Sequence, residues 1–155
     1  MEPRIKSPAL TLPGVRDAML KIAKATEDAG VPAATLELVS LRVGQINGCA
    51  VCLDMHARIM KKRGESDARI YSVAVWRETP YYTEPERAAL ALAEAATRIS
   101  DRADAVPDAI WKQAAAHFDE KALAGLVTAI AMANAWNRLN VTTGQVTGEW
   151  IAQYL

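Results

Sequence analysis

The sequence predicts an all-α fold in a single domain. Three observations carry this reading. Most segments place apolar residues three or four apart, the spacing of one helix face. Strand signals are nearly absent, and alanine is abundant. Helix start and stop signals recur along the chain at Gly30, Asn47-Gly48, Gly64, Thr83, Pro107 and Asp119.

The elements follow in order. Residues 1–13 are polar, broken by prolines, and read as an extended N-terminal arm before a helical domain over 14–155. A first helix runs from about Val15 to Ala29, with Gly30 as its stop. Val31-Pro32 separates it from a second, about Ala33 to Ile46. Asn47-Gly48 ends that helix, because both residues tolerate the left-handed conformation of a C-terminal cap. A third starts at about Cys49 and runs to Arg63, where Lys61 and Lys62 suit the negative end of the dipole. A short helix near Asp67–Val75 and an irregular stretch over Trp76–Tyr82 come next. Thr83-Glu84-Pro85-Glu86 has capping-box spacing and opens a helix to about Ile99. Pro107 opens another, to about His117, and Asp119 caps a long helix to about Leu139. A last short helix, around Val146–Tyr154, carries Trp150, Ile151 and Tyr154. Its apolar side needs cover from the core or from another subunit.

Bulk composition narrows the function. A chain of 155 residues, 51% apolar, can bury a core, about 70% of its unfolded surface. Eighteen basic and eighteen acidic residues cancel, so no electrostatic footprint for nucleic acid or an anionic membrane is present. The N-terminal stretch has no apolar h-region, and no apolar run approaches the ~20 residues of a membrane span. A cytoplasmic enzyme or binding protein is expected. In a reducing compartment, two cysteines so close together read as catalytic or metal-binding.

Both cysteines and one of two histidines lie in NGCAVCLDMH, residues 47–56. Cys49, Cys52 and His56 fall at i, i+3 and i+7, so they share one helix face. Leu53, Ile59 and Met60 extend that side as packing. At a helix start, unpaired N–H groups and the dipole favour a thiolate, and thiol pKa values there drop from about 8.5 to about 3.5–7.5. A Cys-x-x-Cys pair also closes readily into a disulfide. His56, one turn after Cys52, is placed to take its proton directly or through water. By helix geometry alone, Cys49 is the more exposed sulfur and the expected attacker. Glu37 lies in an otherwise apolar helix, twelve residues before Cys49. Once the Asn47-Gly48 turn folds the two helices together, Glu37 can face His56, orient its ring and make it a better base.

Other readings of the same residues stand beside this one. Cys49, Cys52 and His56 could form part of a zinc site, although structural zinc usually takes four protein ligands and the chain has one other histidine, His117, and no further cysteine. The thiols could be inert core residues. Glu37 alone could simply face solvent.

The pattern Glu-x11-Cys-x2-Cys-x3-His resembles that of the alkylhydroperoxidase D (AhpD) / carboxymuconolactone decarboxylase family, in its peroxidase-like branch. LELVSLRVGQINGCAVCLDMHAR, AVWRETPYYTEPERAALALAEA and AIAMANAWNRLNV carry the similarity from about Leu36 to Val141. The resemblance implies an all-helical AhpD-like fold that assembles into homo-trimers or homo-hexamers. It implies a dithiol peroxidase that reduces alkyl hydroperoxides without metal, haem or flavin. Cys52 would be the peroxidatic thiol and Cys49 the resolving one, with His56 and Glu37 relaying the proton. An external dithiol, a lipoyl group or a thioredoxin-like protein, would reset the pair. One position departs: the family's peroxidases carry a further histidine just before the second cysteine, where this chain has Val51. The decarboxylase branch generally lacks the cysteine pair. A non-enzymatic redox-active or metal-binding oligomer is the alternative.

Asn134, Asn137 and Arg138 sit among apolar residues of the long helix and read as a satisfied polar spot in a core or interface. Trp76 and Trp136 read as packing, His117 as a surface residue at a helix end, and Ser40 as a possible hydrogen-bond partner of the Glu37 relay.

Overall fold

A computed structural model describes residues 1–154 of the chain, and all regular structure among them is helical. Eight α-helices are present among the described residues: α1 Pro8–Thr11, α2 Val15–Glu27, α3 Ala33–Asn47, α4 Ala50–Lys62, α5 Asp67–Ser72, α6 Glu84–Thr97, α7 Asp108–Ala115 and α8 Glu120–Thr143. Short 3₁₀ turns cover Val73–Glu78, Ile99–Asp101 and Glu149–Tyr154. No described helix is long and apolar enough to cross a membrane.

α3 is the axis of the molecule and packs against α4, α6 and α8. Its apolar residues surround it rather than forming one stripe. Val39 and Val43 join Leu92 of α6 and Leu126 and Ile130 of α8 in one core cluster. Leu38 and Leu41 join Met60 of α4, Ile70 of α5 and Leu90 of α6 in a second. A helix apolar on several sides is a buried one. α2 lies along α8, where Gly125 permits the approach: a Cβ there would stand 2.3 Å from the Ala29 Cβ.

Four local structures depart from the sequence expectation, one of them the last short helix, which is a 3₁₀ turn confined to Glu149–Tyr154. The arm is not wholly extended, because Pro8 starts a single helical turn that buries Ala9, at a position where its missing N–H costs nothing. The helix expected to reach Val75 ends at Ser72 and tightens into a 3₁₀ turn. Val75 leaves helical geometry at φ −121° and ψ 29°, and its neighbour Trp76 is buried. α8 runs one turn past Leu139 to Thr143, whose hydroxyl bonds back to the Leu139 carbonyl at 2.6 Å. The arm then caps this end, as the Arg4 N–H and guanidinium donate to the Thr143 and Thr142 carbonyls. The expected caps elsewhere are present: Thr83 and Glu86 form a full capping box on α6, and Asp119 accepts from the Ala122 N–H on α8.

Candidate active site

The α3–α4 turn builds the site. Gly48 caps α3 in the left-handed region at φ 67°, so the chain reverses within a residue and α4 begins against α3. Cys49 is the N-cap of α4, and its Sγ accepts from the Cys52 N–H at 3.3 Å. Cys49 and Cys52 are joined as a disulfide, with Cα atoms 5.3 Å apart. Gly44 of α3 lies behind the pair: a Cβ there would touch the Cys52 Cβ at 3.5 Å, an ordinary contact.

Burial reverses one expectation. Cys49 is 0% exposed and Cys52 6%, so Cys52, not Cys49, is the more accessible sulfur. The N-cap position turns the Cys49 side chain back over the first turn, and the C-terminal segment covers it. Ile151 packs with Cys49, Val51, Cys52 and Met55 in a small apolar cluster. Asp54 of α4 holds this segment in place: it pairs with Arg58 and accepts from the Thr147 hydroxyl, while Arg58 reaches Glu149 at 3.1 Å. The arginine and threonine donors hold the Asp54 carboxyl below its ordinary range. The cover foreseen for the last helix thus comes, for Ile151, from the cysteine cluster, while Trp150 and Tyr154 stay exposed.

Glu37 meets His56. The carboxylate Oε2 lies 2.7 Å from the ring Nδ1, and Arg63 approaches the other oxygen at 3.5 Å. Both members of the pair are largely buried, at 13% and 24% side-chain exposure. A carboxylate accepts only, so the ring Nδ1–H is the donor in this contact and Nε2 lies outside it. No hydrogen bond joins the ring to either sulfur among the described residues, and none links Ser40 to Glu37 or His56. No group of three His, Cys, Asp or Glu side chains that could hold a metal converges among the described residues. His117 is exposed at the end of α7.

The sulfurs find their partners on α8. Asn137 Nδ2 lies 2.9 Å from Cys52 Sγ. Asn140 Nδ2 lies 3.5 Å from Cys52 Sγ and 3.8 Å from Cys49 Sγ. Asn134 and Asn137 form a satisfied polar spot in the core, as expected, and Asn137 and Asn140, the latter not singled out by the sequence pattern above, also touch the cysteine pair. The signal was in the sequence: Asn134, Asn137 and Asn140 recur every third residue, a polar stripe on an apolar helix. A cleft of about 190 Å³ opens beside them, lined by Asn47, Asn137, Arg138, Val141 and Thr142.

Fold and site together define an all-helical protein with a Cys-x-x-Cys pair at a helix start, a histidine one turn further along that helix, and a glutamate from the adjoining helix paired with it. The carboxymuconolactone decarboxylase family profile matches residues 13–95, and the chain belongs to this family. Among its relatives is the uncharacterized protein YdfG of Bacillus subtilis, 38% identical over 126 residues that span 81% of this chain and 84% of that one. A shorter match, 51% identical over 41 residues, is to the alkyl hydroperoxide reductase AhpD of a Bradyrhizobium strain and covers 26% of this chain and 23% of that protein. In structure, the chain is similar to a protein of unknown function from Agrobacterium tumefaciens, at a TM-score of 0.87 and 33% identity over 95% of this chain and 99% of that one.

Proposed function

We propose that this chain is a thiol-dependent alkyl hydroperoxide reductase in which Cys52 attacks, Cys49 resolves, and His56 with Glu37 moves the proton. The observation that carries the reading is the Glu37–His56 contact at 2.7 Å, one helical turn from a bonded Cys49–Cys52 pair. The similarity to an alkyl hydroperoxide reductase supports it, as does the greater accessibility of Cys52.

In the reduced protein the Cys52 thiolate attacks the terminal peroxide oxygen and the O–O bond breaks. The leaving alkoxide takes the proton that the Cys52 thiol gave up to His56 Nε2 on ionising, and departs as the alcohol. Cys52 is now a sulfenic acid. The Cys49 sulfur attacks it, the hydroxyl leaves as water, and the disulfide forms. An external dithiol, lipoyl or thioredoxin-like, exchanges with that disulfide and is itself oxidised. Glu37 fixes the imidazole tautomer and stabilises the ring when it is charged. The cycle uses no metal, haem or flavin, suits a reducing cytoplasm, and operates in a homo-trimer or homo-hexamer.

The test is hydroperoxide consumption with a dithiol reductant, comparing the parent with Cys52→Ser, Cys49→Ser and Glu37→Gln. Turnover is expected to vanish in both serine variants and to slow in Glu37→Gln. Equal rates in all four proteins overturn the proposal.

A further inference from the structure

We infer that Asn137, held in one orientation by a chain of side-chain hydrogen bonds from Arg138, is a thiolate-stabilising donor to Cys52 and selects it as the ionised sulfur. The inference rests on the dithiol reading above and adds the residues that set which thiol is charged.

An asparagine amide can present either its oxygen or its nitrogen, and the surrounding network decides which. Here the decision propagates from fixed ends. Asn134 Nδ2 lies 2.9 Å from the Ile130 carbonyl, which can only accept. Its Oδ1 accepts from the Arg138 guanidinium at 3.0 Å, which can only donate. Asn134 therefore has one orientation. Its oxygen demands a donor from Asn47, whose Nδ2 stands 3.0 Å away. The same Asn47 Nδ2 donates to Asn137 Oδ1 at 2.9 Å. The oxygen of Asn137 is thereby occupied, and its nitrogen faces Cys52 Sγ at 2.9 Å. Flipping Asn137 would set two N–H groups against each other at Asn47 and an oxygen against sulfur.

The consequence is directional. A thiolate is a stronger acceptor than a thiol or a disulfide sulfur, so a fixed donor stabilises the charged form. Asn137 is 1% exposed, and a buried donor is less weakened by water than an exposed one. Asn140 adds a longer donor to the same sulfur. Among the described residues, Cys49 Sγ receives only the 3.8 Å contact from Asn140 and the backbone donor of Cys52. On ionisation the Cys52 proton passes to solvent or to His56, and the charge rests between the two amides. The charged groups on the elements around Cys52 include His56, and Asp54 with Arg58, on α4; Glu37 and Arg42 on α3; Arg138 on α8; and Glu149 on the C-terminal turn. None of these is hydrogen-bonded to either sulfur among the described residues.

The test titrates Cys52 alone, in the reduced Cys49→Ser protein, by its ultraviolet thiolate absorbance and by the pH dependence of alkylation. The apparent pKa is expected below the ordinary value of about 8.5. Asn137→Leu, which keeps volume and removes the donor, is expected to raise it by about one unit or more. Asn47→Ala, which never touches sulfur but frees Asn137 to flip, is expected to raise it by a smaller amount. Asn140→Leu, at a half-exposed site, is a third variant should Asn137→Leu fail to fold. Thermal melts accompany each titration, since a purely structural role would lower the melting point without moving the Cys52 pKa. An unchanged Cys52 pKa in the folded variants overturns the inference. No hydroperoxide enters this measurement, so a protein inert to peroxides would still confirm or contradict it.

Discussion

Glu37 and His56 belong to different helices, and their contact depends on a single reversal at Gly48. The Glu37–His56 pairing was legible in the sequence because only three residues separate the Cys-x-x-Cys motif from His56, and one short turn separates the two helices. Replacing Glu37 by Gln preserves the shape and removes the charge that supports a protonated ring. The peroxidase rate is expected to fall by about 10²-fold, while the titre of free thiols after reduction stays that of the parent. Parent-like kcat/KM with the same substrate would remove Glu37 from the mechanism. Val51 has its own physical setting: it is buried against Ile151 and the cysteines. A histidine there must place an imidazole in an apolar cluster, so Val51→His is expected to lower stability by about 1–3 kcal/mol, measurable by chemical denaturation. The asparagine donors were less legible, because the partner of Asn137 lies 85 residues away in sequence. A stripe of amides on a helix announces that something polar faces it, but not what.

Among the elements, α3 and α8 show how far periodicity reaches. Their starts and the end of α3 followed from Pro32, Asp119 and Gly48, and their existence from apolar spacing. Which side each buries did not follow, because helices covered on several faces have no single stripe. The close approach of α2 to α8 at Gly125 was equally hidden, since it is a property of two surfaces. Gly125→Ala places a methyl group where the Ala29 Cβ already stands. Overpacking there is expected to cost about 1–3 kcal/mol, although alanine would favour an isolated helix. A melting point equal to or above that of the parent would contradict this account of the α2–α8 packing. The α6 start is the opposite case, local and readable. Thr83→Ala removes the side-chain half of the capping box and is expected to cost about 1 kcal/mol.

At the scale of the molecule, the polar core around Glu94 ties three parts of the chain together. Arg42 of α3, Arg77 and Trp76 all bind this one carboxylate on α6, at 2.6, 2.6 and 3.1 Å. Burial pushes the Glu94 carboxyl upward, and the arginine and tryptophan donors outweigh it, leaving the carboxyl below its ordinary value of 4.5. A carboxylate depressed in the folded state adds stability above its unfolded pKa, and that stability is lost as pH falls through the folded value. The melting temperature is therefore expected to hold near neutrality and drop below about pH 4.5. The drop should be shallower in Glu94→Gln, and an identical acid limb in that variant would contradict the assignment. The sequence placed Glu94 in a run of alanine and leucine without showing its partners, for the same long-range reason that hid the asparagines.

The central claim joins these scales: a dithiol at the start of α4, cycled by hydroperoxide. Its most direct test is mass spectrometry of the fully reduced protein after one equivalent of an alkyl hydroperoxide, without reductant. The expected result is an intramolecular Cys49–Cys52 disulfide with one equivalent of alcohol released, and a trapped sulfenic acid on Cys52 in Cys49→Ser. Two free thiols and intact peroxide in a folded protein would contradict the claim.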